Sequence, residues 1–414
     1  MTTTTEPSIS QGNTQPTSVN PNEPPKLGLL LFLILGAIGA LTPLAIDMYL
    51  PAMPTIAKDL GVSAGAVQIT LTAYTAGFAF GQLLHGPLAD SFGRRPVLII
   101  GVLFFGIAAV VSATTTGIEA LTYVRTAQGF AGAAAAVVIQ ALVRDMFDRE
   151  DFARTMSFIT LVMTIAPLVA PMVGGYLALW FGWRSIFWVL AIFAALVIAA
   201  VFWKIPETLP VEKRQPLRFR TTIRNYARLF KNPVAMGLIF SGAFSFAGMF
   251  AFLTAGAFVY IDIYGVRPDH FGYLFGMNII AMILMTSING RMVKKVGSHN
   301  MLRFALTIQL LAGVGLFTGW ALDLGLWGIV PFVVLFIGTL STIGSNSMGL
   351  LLSGYPKMAG TASSLAGTLR FGTGSAVGAL VAMFPSTTAV PMILVMTACS
   401  VLSALLYWTL GKKA

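Results

Sequence analysis

The chain has 414 residues, 56% of them hydrophobic and 10% charged, with a net charge of +11 and one cysteine. That balance excludes an ordinary soluble globule, and a lone Cys399 excludes a disulfide framework and a cysteine metal site. The basic residues lie between apolar stretches and not on one compact face, so the charge does not indicate a nucleic-acid partner.

The first 25 residues hold five prolines and a threonine run, with no Lys or Arg before Lys26, and are expected to stay disordered. A long neutral tail ahead of the first apolar stretch argues against a cleaved signal peptide. Apolar stretches then fall near 27–50, 64–88, 96–114, 118–140, 154–178 and 184–204, and again near 233–260, 270–290, 300–320, 326–348, 358–383 and 388–410. Each is long enough to cross roughly 30 Å of hydrocarbon. Twelve spans put both termini on one side, and all but five of the 26 Lys and Arg fall on that side. Lys58, Arg184 and Arg267 fall opposite, while Arg125 and Arg370 lie within spans. The asymmetry predicts cytoplasmic termini.

Gly86 to Pro96, GPLADSFGRRP, falls between the second and third spans and sets an acid, two arginines and two glycines where a turn is expected. Gly86 and Gly93 are expected to let helices approach closely, and Asp90 to pair with Arg94 or Arg95 or to cap a helix start. The same offset of 204 carries Gly86 to Gly290, Gly93 to Gly297 and Leu98 to Leu302, in GRMVKKVGSHNML, with Lys294 in place of Asp90. This copy predicts a duplicated six-helix unit. The expected organisation is a tail (1–25), a first six-helix bundle (26–204), a basic linker (205–231), a second bundle (232–410) and a short tail (411–414). In the linker, Arg218, Arg220, Arg224 and Arg228 suit a basic helix at an anionic inner leaflet or a solvated connection.

Asp47 and Arg125 stand out because a charge at mid-bilayer costs roughly 2.5–3.5 kcal/mol on insertion scales. They are expected to reach similar depth in one cavity, where burial and a neighbouring arginine act in opposite directions on the carboxylate. Such a pair suits proton coupling; a helix-end acid and an arginine bonded to backbone carbonyls are the structural alternatives.

At this point the residues resemble a known family. Gly86, Asp90, Gly93, Arg94 and Arg95 match the loop signature of the major facilitator superfamily. LTYVRTAQGFAGAA (121–134) is similar to its fourth-span signature and APLVAPMVGG (166–175) to its fifth-span antiporter signature. The latter keeps Pro167, Pro171, Gly174 and Gly175 but has Ala170 where the family pattern has glycine. TPLAIDMYLPAMP (42–54) and WRSIFW (183–188) resemble the bicyclomycin-resistance subgroup of twelve-span drug:proton antiporters. The resemblance implies an all-α integral membrane protein of two pseudo-symmetric six-helix bundles, acting as a monomer in a bacterial inner membrane. It implies a secondary transporter that exchanges protons for small amphipathic drugs by alternating access and needs no cofactor beyond the proton gradient. Asp47 and Arg125 would couple the proton and the 86–95 turn would gate. A proton-coupled importer or exporter of a small metabolite is permitted by the same fold.

Cargo contacts are expected from Tyr74, Phe78, Tyr123, Gln128, Ser241, Ser245, Asn278, Met282 and Asn346, which give aromatic walls, an adaptable Met and a few hydrogen-bonding groups. No nucleotide-binding, zinc-protease or nucleophile-elbow motif occurs, which argues against an enzyme and against ATP as the energy source. His85 and His270 lack a second ligand at metal-binding spacing. Arg370, deep in the eleventh span, is open between contact with an anion and snorkelling to the inner face.

Overall fold

The computed structural model describes residues 29–147, 149–214, 219–355 and 359–413, and these residues contain helices and no strand. The expected tail at 1–25 and Arg218 lie outside them. In the first half α1 (Leu29–Asp47) is followed by short α2 (Met53–Leu60), then α3 (Ala64–Phe92), α4 (Arg94–Thr114), α5 (Ile118–Met146), α6 (Arg149–Phe181) and α7 (Arg184–Lys204). A connecting helix α8 (Phe219–Phe230) leads into α9 (Pro233–Ala257), α10 (Pro268–Val296), α11 (Ser298–Ala321), α12 (Val330–Gly338), α13 (Leu340–Gly354), α14 (Ala359–Ala382) and α15 (Val390–Thr409). Helices α12 and α13 are one crossing interrupted at Thr339, whose hydroxyl donates to the Phe336 carbonyl at 2.8 Å. Counted so, the described residues make twelve crossings.

Ten of these crossings are long and apolar enough to span a membrane by composition. The other two, α3 and α14, face each other across the seam between the halves. Their polar side chains, among them Gln68, Thr72 and Gln82 on α3 and Ser375 on α14, point into that seam and not at lipid. In hydrocarbon only helices satisfy every backbone group internally, and polar side chains are retained where protein shields them.

The segment between α3 and α4 differs from the expected turn. Gly86 to Phe92 form the last two turns of α3, and the break is one residue, Gly93, with φ of 104°. Pro87 is tolerated inside the helix, as is usual in membrane spans, and the Asp90–Arg94 ion pair at i, i+4 bridges the break. Gly86 is not a point of close approach, since a methyl there would meet only Val137 at 3.8 Å. That role falls to Gly77 and Gly129, where α3 and α5 cross with backbone against backbone.

The internal repeat is visible in the helices. Both α3 and α10 have 29 residues, start 204 apart, and end on a glycine with positive φ, Gly93 and Gly297. Space at Gly297 is open, whereas a Cβ on Gly93 would strike the Glu207 carboxylate.

The two seams between the halves are unequal. Helices α3 and α14 run together from Gly65 against Ala382 to Gln82 beside Gly367. Between α6 and α10 the close glycine contacts are Gly175 against Pro268, Gly272 against Met172 and Gly276 against Leu168, all toward one end. At that end Lys58 pairs with Asp262 at 3.4 Å, Gln68 donates to Ser386 at 3.1 Å and the Tyr176 and Tyr273 hydroxyls meet at 3.3 Å. The halves are therefore joined at the end holding residues 48–63, opposite the basic end where Arg94 and Arg95 sit.

Since Gly93 combines a left-handed backbone with a filled Cβ position, Gly93→Ala is expected to cost about 1–3 kcal/mol. Gly86→Ala should stay within about 0.5 kcal/mol of the parent. Thermal unfolding of the purified variants in detergent checks the contrast.

Candidate functional site

The site grows from the end of α1. A helix terminus leaves its last carbonyls without intrahelical partners and carries partial negative charge. The Met48 N–H satisfies the Leu44 carbonyl at 3.1 Å, and the Ala45 carbonyl accepts from Arg125 Nη2 on α5 at 3.1 Å. Arg125 Nη1 donates to Gln128 Oε1 at 2.7 Å. The guanidinium lies over Tyr74 at 4.4 Å, Tyr49 at 4.8 Å and Phe187 at 5.7 Å, and the residue is fully buried. Tyr49 bonds Thr70 at 2.6 Å, and Tyr74 donates to Thr42 at 3.4 Å. One side chain thus ties α1, α3, α5 and α7 together.

This overturns the expected pairing of Asp47 with Arg125. The terminal nitrogens of Arg125 are committed to a carbonyl and an amide, and its faces to rings, so no ion pair with Asp47 forms. Asp47 is 6% exposed and has no hydrogen bond or ion pair among the described residues. It is the last residue of α1, next to Met48, whose carbonyl packs directly on Gly174 of α6. Pro167 and Pro171 lie inside α6 on the approach to that contact. The fifth-span set therefore holds α6 against the chain just beyond Asp47 and, through Gly175 against Pro268, against the second half.

At the basic end Arg94 is buried, pairs with Asp90 at 2.5 Å and with Asp145 of α5 at 3.3 Å. Its N–H donates to Glu207 Oε1 at 3.0 Å, an acid at the N-terminus of α4, where the helix dipole favours one. The same oxygen accepts from the Leu209 N–H at 2.9 Å, and Arg95 Nη2 donates to the Phe202 carbonyl at 2.6 Å. The network fastens α3, α4, α5 and α7 to the start of the connection, all within the first half. Lys294, the counterpart of Asp90, is exposed. In the connection, α8 sets Tyr226 on Ser364 at 3.0 Å and buries Leu229, while Arg224 and Arg228 are exposed.

The nine expected cargo contacts separate into groups. Phe78 sits on the seam, its ring 4.6 Å from that of Phe371 on α14. Asn346 donates to Asn289 Oδ1 of α10 at 2.7 Å, with half-buried Met282 on the same helix. Asn278 is 1% exposed with both amide atoms unpartnered among the described residues. Tyr74 and Gln128 belong to the Arg125 cage, so they are not free to meet cargo. Ser245 accepts from Gln309 of α11 at 2.8 Å, and Ser241 is buried where its carbonyl accepts from Ser403 of α15. Both face neighbours inside the second half and not the space between halves. Tyr123 is 76% exposed and borders an apolar groove of about 1390 Å³ on the outer face of α3, α4 and α5. It points outward because it stands two residues from Arg125, on the other side of the same helix. His85 bonds the Gly81 carbonyl at 2.9 Å, and the described residues hold no cluster of metal-ligating side chains. Sequence reasoning missed Glu207, Asp145 and the aromatic partners of Phe78, namely Phe371 and with it Phe246, which come from distant parts of the chain.

Twelve crossings in two repeated halves, joined at one end beside a buried carboxyl group, define a transporter and not an enzyme. The chain belongs to the major facilitator superfamily, whose model matches residues 35–379. It is 46% identical to a bicyclomycin resistance protein homolog of Haemophilus influenzae, over 94% of this chain and 98% of that one. It is 32% identical to a chloramphenicol resistance protein of Pseudomonas aeruginosa over 87% of this chain and 86% of that one. To multidrug resistance protein D of Escherichia coli it is 28% identical, over 93% and 96%. Among solved structures the fold is that of a D-xylose-proton symporter, with a TM-score of 0.73 at 18% identity over 92% of this chain and 97% of that one.

The cage and the carboxyl should respond differently to substitution. Arg125→Gln orphans the Ala45 carbonyl and the ring faces and is expected to cost about 2–4 kcal/mol. Asp47→Asn removes no observed bond and should leave the unfolding temperature within about 2 °C. Scanning fluorimetry of both variants in detergent separates the two roles.

Proposed function

We propose that the chain is a proton-coupled exporter of small amphipathic drugs, working as a monomer by alternating access in a bacterial inner membrane. The observation that carries this reading is Asp47, an acid without an ion pair at the point where α1 ends and α6 seals the halves. The names of the relatives support a drug as cargo, and the surplus of Lys and Arg supports the basic end as cytoplasmic. The conformation described here is then open to the cytoplasm.

In this state cargo enters from the cytoplasm or inner leaflet, and Asp47 gives up its proton to the same side. Rearrangement of the unequal seams exposes Asp47 outward, where cargo leaves and a proton binds. A protonated, neutral carboxyl packs in the closed end at lower cost than a charged one, so protonation biases the return. One proton moving down about 100 mV releases roughly 2.3 kcal/mol, enough for about a fifty-fold cargo gradient. No bound cofactor enters this cycle. Exposed Arg224 and Arg228 on α8 suit an anionic inner leaflet.

In cells expressing the protein, accumulation of bicyclomycin or chloramphenicol should fall several-fold and return to the control level with a proton uncoupler. Asp47→Asn should abolish uphill efflux while retaining membrane insertion and downhill exchange. Uphill efflux by Asp47→Asn would reject Asp47 as the proton carrier. Gly174→Leu, which drives a side chain into the Met48 carbonyl, should lower efflux at least tenfold and make a cysteine at Ile46 reactive to an impermeant maleimide from outside.

A further inference from the structure

Among the described residues the second half has one charge in mid-span, Arg370, and no acid near it to neutralise it. Its acids are Asp262, Asp269 and Asp323, all at the closed end. Arg370 stands near the middle of α14, about 17 Å from either end at the helical rise, further than one side chain can snorkel. It forms no ion pair or hydrogen bond among the described residues, and its Nε is buried without a partner. The guanidinium carbon lies over the Phe246 ring of α9, 4.1 Å from its centre. Its Nη1 and Nη2 lie 3.8 and 3.9 Å from the place a Cβ would take at Gly344 of α13. A residue without a side chain thus leaves room for the edge of the fork.

The surroundings are apolar and aromatic. Phe371, next in sequence, packs on Phe246 at 5.0 Å and, across the seam, on Phe78 at 4.6 Å. Phe250 lies 6.3 Å from Phe371. A cation lying over the Phe246 ring, its nitrogens without hydrogen-bond partners among the described residues, set in an aromatic wall between the halves, has the form of a receptor for a planar pair of acceptor atoms. Guanidinium binds such pairs by two parallel charge-assisted hydrogen bonds, a geometry that Lys cannot reproduce. The contrast with Arg125 is instructive, because that residue bonds both terminal nitrogens to protein groups.

We infer that Arg370 is a cargo-binding residue that selects amphipathic molecules carrying an anionic or carbonyl-type acceptor pair, with the Phe78–Phe246–Phe371 group holding their apolar part. The inference rests on the transport reading above and specifies its substrate class. The polar head of the cargo supplies the counter-charge that the second half lacks.

The test uses full-length protein in proteoliposomes with sulfathiazole, a sulfonamide present as its anion at pH 8, and ethidium, a cation without carbonyl groups. Arg370→Gln should raise the KM for sulfathiazole at least tenfold with the maximal rate retained, and Arg370→Lys should recover part of that loss. Ethidium export should be unaffected. An unchanged sulfathiazole KM in Arg370→Gln, or equal loss of both cargoes, overturns the inference and leaves the transport reading standing. Absence of export by the wild type overturns both. A second measurement needs no variant: purified wild-type protein should bind sulfathiazole at least tenfold more tightly than its neutral N-methylated analogue, and equal affinity for the two counts against the inference.

Discussion

Hydrocarbon does not accept an uncompensated charge, and the architecture of this chain follows from how three interior charges meet that constraint. Arg125 meets it with protein alone, through the free carbonyl at the end of α1, the Gln128 amide and three aromatic faces. That solution fixes α1, α3, α5 and α7 as one body, so it builds the first half while removing the arginine from the cavity. Asp47 has no such arrangement and stands at the edge of the closed end. Arg370 is stacked on one ring and otherwise unpaired. The charge bonded through both terminal nitrogens stands in the packing of the first half, and the two without such bonds are the ones to which transport roles are proposed above.

The same division separates the two seams. Where α3 meets α14, the contact runs over most of both helices and includes bonds such as Ser375 to the Thr72 carbonyl at 3.0 Å. Where α6 meets α10, the close glycine contacts lie toward the closed end, with Met172 and Pro268 opposite them. A long polar seam opposite a short smooth one makes a natural pivot, because sliding apolar and glycine surfaces sacrifices few directional bonds. Exposed ion pairs such as Lys58–Asp262 are worth about 0–1 kcal/mol. The closed end is therefore held chiefly by close packing, and in the cycle proposed above it is the loss of a proton from Asp47, not its gain, that favours release.

Much of this was legible in the residues. Two glycines at an offset of 204 located the repeat, because a one-residue break with positive φ demands glycine in both halves. The spans were legible because hydropathy reports lipid contact, although it understates α3 and α14, whose polar residues face protein. The turn at Gly86 was misplaced because Pro and Asp read as loop residues in water, whereas here Pro87 is accommodated and Asp90 bonds forward to Arg94. The roles of Arg125, Gln128, Ser241, Ser245 and Tyr123 were not legible. Each depends on which neighbour a helix face meets, and the partners of Arg125 come from three other helices.

Lys58 and Asp262 occupy equivalent positions of the repeat, 204 residues apart, yet they bond to each other. A contact between equivalent positions lies on the local two-fold axis that relates the halves. In an assembly of two identical six-helix subunits, that axis would set each residue against its own copy, lysine facing lysine or aspartate facing aspartate. Attraction there is available only to halves that have diverged, so this bond is one that exact symmetry would forbid.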